Sequence, residues 1–84
     1  MTWAWEYDDP DEEHVAGGAP PAFLAEVEKK ADEMVRAAAA FYLDGTTYQG
    51  EGPRGGFAHV PGGFFNYLIV PRHGRLYIMQ VTFL

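Results

Sequence analysis

The groups best suited to acting on a substrate gather in the second half of the chain: Arg54, His59, Tyr67, Arg72, His73, Arg75 and Tyr77. Arginine holds phosphate bidentately, histidine changes charge near neutral pH, and tyrosine stacks on bases. Basic and aromatic groups on one sheet suit single-stranded RNA; charged residues flanking a hairpin tip also serve solubility alone. The three histidines, His14, His59 and His73, stand too far apart in sequence for helical metal-ligand spacing. The carboxylates Glu6, Asp8, Asp9, Asp11, Glu12 and Glu13 form a cluster, but helix capping accounts for them and their spacing matches no calcium loop. The chain has no serine and no cysteine, which excludes a serine nucleophile, thiolate chemistry, disulfides and cysteine-ligated zinc. Thr2, Thr46, Thr47 and Thr82 have no adjacent base. No cofactor and no metal is expected.

Charge narrows the classes of partner. The net charge is −6, unevenly spread: residues 1–44 hold eleven acids and three bases, and residues 45–84 hold Glu51 against Arg54, Arg72 and Arg75. A whole-surface basic footprint for nucleic acid is therefore missing, while a locally basic sheet is not. The start, Met1-Thr2-Trp3-Ala4-Trp5-Glu6, lacks the basic and apolar regions of a signal peptide, and no apolar run reaches the roughly 20 residues of a membrane span. A cytoplasmic location and no membrane partner are expected. At 84 residues and 48% apolar, the chain is expected to fold as one domain over 1–84.

The elements that would position these groups follow from periodicity. Trp3, Trp5 and Tyr7 alternate with Thr2, Ala4 and Glu6, which predicts a half-buried strand over 2–7. Asp9-Pro10 with Glu12 starts a short acidic helix that Gly17-Gly18 would stop. Pro20-Pro21 opens a second helix to about Leu43, with an apolar stripe through Phe23 or Leu24, Val27, Ala31, Met34 or Val35, Ala38, and Phe41 or Tyr42. Glu26–Lys30 and Asp32–Arg36 are favourable i,i+4 pairs on its other face. Residues 45–63 hold seven of the ten glycines and read as loop, with room for a short strand around Phe57–Val60. The Gly50–Gly56 stretch lacks the lysine and hydroxyl residue of a phosphate-binding loop.

Residues 64–70 and 75–84 predict two long apolar strands joined by a two-residue His73-Gly74 turn. That register sets Val70 against Tyr77, Leu68 against Met79, Asn66 against Val81 and Phe64 against Phe83. It puts Phe65, Tyr67 and Ile69 beside Ile78, Gln80 and Thr82. A sheet with one wet face alternates more strictly than this. Apolar groups on both faces imply either internal filling or a partner chain.

The order of strand, acidic helix, Pro-initiated helix, Gly-rich loop and closing hairpin resembles the RelE/ParE superfamily of bacterial toxin–antitoxin toxins. The features that carry the resemblance are Trp3–Tyr7, Gly18-Ala19-Pro20-Pro21, the Gly50–Gly56 loop, and Phe64–Val70 followed by Arg75–Leu84. It implies an α+β fold in which an N-terminal strand and a helical hairpin pack on a small antiparallel sheet with a C-terminal β-hairpin. RelE-type toxins are ribosome-dependent mRNA endonucleases and ParE-type toxins inhibit gyrase; both are neutralised by an antitoxin that wraps them. RelE-type chemistry uses arginines and lysines to stabilise phosphate charge. Here Asn66 stands where the family carries an arginine, the second half has no lysine, and the family's C-terminal Gly-His-Arg-like segment would begin at or beyond Leu84.

The resemblance therefore implies a diverged toxin-family protein acting through protein binding. Its expected partner is an antitoxin-like protein or a second copy of itself, and the binding residues are Phe65, Tyr67, Arg75, Tyr77 and Gln80. The alternative is an endoribonuclease acting on mRNA, on or off the ribosome, through Arg54 and Arg72 as cations and His59 and His73 as proton carriers. A phage or mobile-element accessory protein of this shape is a third reading.

Overall fold

The computed structural model describes residues 2–8, 18–41 and 54–84. Within them the chain forms β1 (Ala4–Tyr7), α1 (Pro21–Phe41), β2 (Arg54–Val60), β3 (Gly63–Val70) and β4 (Arg75–Phe83). The result is an α+β arrangement: one helix laid on a four-stranded sheet of order β1-β4-β3-β2. The acidic helix expected from Asp9-Pro10 and the loop over 45–53 lie outside the described residues.

Helix α1 starts where its two prolines require. Pro21 lacks an N–H that a first helical residue would leave unused anyway, and the Leu24 N–H donates to the Pro20 carbonyl at 3.1 Å to close the first turn. Phe23, Val27, Ala31 and Ala38 are buried along one stripe, against Ala58, Phe65, Leu76 and Ile78 from the sheet. Two polar groups of α1 hold β1 in place. The Trp5 indole Nε1 donates to Asp32 Oδ1 at 2.7 Å, and the Tyr7 hydroxyl donates to Glu28 Oε2 at 2.8 Å. Asp32, expected to serve Arg36, thus bridges helix and sheet. On the outer side Lys30 and Glu33 pair at 3.7 Å, half exposed, a contact of small energetic weight.

The sheet corrects the sequence reading in four respects. It is mixed rather than antiparallel, because β1 runs parallel to β4, Trp5 beside Leu76 and Tyr7 beside Ile78. The short strand expected at Phe57–Val60 is a full strand from Arg54, in continuous antiparallel register with β3 from Arg54–Ile69 to Val60–Gly63. Gly55 and Gly56 hide it from a pattern search because they supply no side chain to alternate.

The β3–β4 turn is longer than two residues. Pro71–His73 form a 3-10 turn, and Gly74 closes it in the left-handed region (φ 60, ψ 41), where a residue with a Cβ is disfavoured. Val70 therefore meets Arg75, and Leu68 meets Tyr77. Finally, a bulge between Asn66 and Tyr67 shifts the register, so Tyr67 faces Ile78 but Asn66 faces Gln80, leaving Met79 as the extra residue. Past the bulge the phase of β4 inverts. Val81 pairs with Phe65 on the helix side, while Thr82 joins Phe64 on the other. Gln80 and Thr82 accordingly do not share a face with Phe65, Tyr67 and Ile69.

Candidate functional site

The two faces carry different chemistry. On the helix side Phe65, Leu76 and Ile78 are fully buried, with Trp5, Tyr7, Tyr67, Ile69 and Val81 packed around them. Phe83 closes one end against Phe23, ring centroids 5.1 Å apart. Phe65 is therefore a core residue at 0% exposure and not a surface contact, which corrects its assignment as a binding residue.

The second face is built by the alternate residues of the same strands. Phe57 is 64% exposed and meets the Phe64 ring edge-on at 5.9 Å; His59 lies 5.9 Å from the same ring. At the other end Leu68 stands across from Tyr77, whose hydroxyl is 3.1 Å from His73 Nδ1, with the two rings nearly perpendicular. Asn66 and Gln80 make a polar pair in the middle, and Thr82 lies across from Phe64. Among the described residues no helix lies over this face.

The expected site residues are thus divided. Arg54 alternates with Gly56 and Ala58 on the helix side, where it borders an open groove of about 480 Å³ with Met34, Ala38, Phe41, Tyr67 and Ile69. His59 is five residues further along β2, roughly 17 Å away at strand rise, beside a smaller hollow of about 220 Å³ bordered by Glu26, Lys29, Lys30, Glu33 and Val60. Arg72 and His73 are exposed in the 3-10 turn, at the end of the sheet opposite His59. Arg54, His59, Arg72 and His73 do not converge on one point.

Of the expected binding residues, Tyr67 lines the groove on the helix side, while Tyr77 and Gln80 lie on the second face. Arg75 ties the ends of β1 and β4 together. Its Nη1 donates to the Thr2 carbonyl at 2.9 Å and to the Gly74 carbonyl at 3.0 Å, and its Nε lies 3.6 Å from Glu6 Oε2. Arg75 is a positioning residue of the sheet.

Phe57 and Phe64 were not singled out in the sequence as contact residues, since the signal that raises them to the surface is the phase of β2, which its glycines conceal. No set of three or more metal-ligating side chains converges among the described residues. No helix among them is long and apolar enough to cross a membrane.

No family model matches this chain. No curated protein matches it, and neither does any solved structure.

Proposed function

We propose that this chain is a diverged RelE/ParE-like protein that works by protein binding, its second sheet face receiving an acidic, apolar segment of an antitoxin-like partner. The order of β1, α1 and the β3–β4 hairpin is the order on which the resemblance rests, and it supports the kinship. The observation that carries the reading is the makeup of the second face. Phe57, Phe64, Leu68 and Tyr77 stand there, with His59 beside Phe64, Arg72 and His73 in the turn next to Tyr77, and the Glu6 carboxylate across from Tyr77 matched by Arg75 at 3.6 Å. Aromatic surface with a charged rim is the composition of protein interfaces, and the sign of the rim selects an acidic partner.

The endoribonuclease reading is weaker on geometric grounds. Stabilising a phosphoryl transition state requires cations and proton carriers within hydrogen-bond reach of the reacting atoms, and the four candidate groups are spread over both ends of the sheet.

The test is co-expression with the product of the adjacent reading frame. The expected result is a stoichiometric complex that weakens with salt. Gln80→Glu, which places a carboxylate on the exposed second face, should weaken it about tenfold, the scale of one close like-charge contact. The reading is overturned if no complex forms, or if neither Gln80→Glu nor Phe57→Ser affects it. Cleavage of mRNA by the purified chain, abolished by Arg72→Ala or His73→Ala, would replace it with the enzymatic one.

A further inference from the structure

We propose that the outer edge of β2 pairs with β2 of a second copy, so that two four-stranded sheets join into one of eight strands about a twofold axis. This contact lies beside the acidic-partner face and does not depend on it.

The two edges of the sheet are built differently. β1 is four residues long, and Arg75, Glu6 and the Thr2 carbonyl crowd its start. β2 is seven residues long, Arg-Gly-Gly-Phe-Ala-His-Val, and among the described residues no further strand lies beyond it in the sheet. Proteins blunt such edges with lysine, proline, bulges or brevity. β2 has no lysine, no internal proline and an unbroken register with β3. An edge of this kind adds a strand readily.

The sequence of β2 selects a copy of itself as that strand. Antiparallel pairing centred on Phe57 sets Phe57 across from its twin, Gly56 across from Ala58, Gly55 across from His59 and Arg54 across from Val60. The matches at the centre are favourable. The two Phe57 rings, exposed in the single chain, make an aromatic cross-strand pair on the second face. The Gly56–Ala58 matches keep the helix side of the junction free of bulk at its centre. A strand of unrelated sequence would not reproduce the Phe57 pair and the two Gly56–Ala58 matches together.

The experiment is the solution mass of the chain alone, by sedimentation or light scattering, with circular dichroism as the check on folding. The wild type is expected to be a dimer. Phe57→Lys and Phe57→Glu should each raise the dimer dissociation constant at least about tenfold, because each loses the aromatic pair and places like charges directly opposite. An equimolar mixture of the two variants should restore the dimer, since lysine then faces glutamate. The proposal is overturned by a wild type that stays monomeric up to about 100 μM, a concentration at which a specific contact would show. A mass above the dimer, a dimer that both variants leave intact, or a mixture that fails to reassociate would each overturn it as well.

Discussion

The sheet presents two faces made from the same strands, and only one of them holds the fold together. The helix side fills with Phe65, Leu76, Ile78, Phe23 and Val27, all buried, and is fastened by Trp5 to Asp32 and Tyr7 to Glu28. The other side keeps large apolar groups toward its two ends, Phe57 with Phe64 and Leu68 with Tyr77, and the Asn66–Gln80 pair lies between Phe64 and Leu68. With stability drawn from one face, the residues of the other are free to be chosen for contact. A substitution should therefore do opposite things according to the parity of its position.

The largest contrast should come from Phe65→Ala, which removes a fully buried ring beneath α1 and should cost about 3–5 kcal/mol of unfolding free energy, read from the denaturant midpoint. A loss under about 1 kcal/mol would mean that the helix side is not the core. Gly63→Ala should follow, at about 1–3 kcal/mol, because a Cβ there runs into the Thr82 carbonyl and the Phe23 ring.

Tyr7→Phe should cost about 1 kcal/mol by leaving Glu28 without its donor. A Tyr7/Glu28 double-mutant cycle isolates that term, and a coupling near zero would remove the latch from the account. Smallest in stability and sharpest for the comparison is Phe57→Ser, expected to shift unfolding by less than about 0.5 kcal/mol while weakening association with partner or copy. A loss of stability as large as that of Phe65→Ala would erase the difference between the faces.

How much of this could be read in advance depended on whether a residue's partner lay nearby in the chain. The α1 stripe was legible because helical neighbours are three and four residues apart, and the Trp5–Tyr7 alternation because a strand's phase is local. The hairpin was legible as two apolar runs, but its register was not. Proline in a 3-10 turn lengthens the connection, and one extra residue at Met79 reverses the facing of everything after it. The bulge alone moves Gln80 away from Phe65 and Tyr67, whereas Tyr77 stands opposite them in the expected register too, so the expected binding set mixes residues from opposite sides. β2 was only partly visible because its first residues after Arg54 are glycines. That β1 would lie parallel to β4 had no local signal at all.

That last pairing bears on how the molecule comes into being. Ala4 lies beside Arg75, about 70 positions apart in sequence, so while the chain is being synthesised β1 has no strand to pair with until the residues between them have been made. Trp5 and Tyr7 then wait for the strand beside which they will lie, and the step that seats them carries the entropy of closing a loop of about 70 residues. Nascent chains halted before β4 should be readily cut by protease near their beginning, and completion of β4 should protect that same stretch.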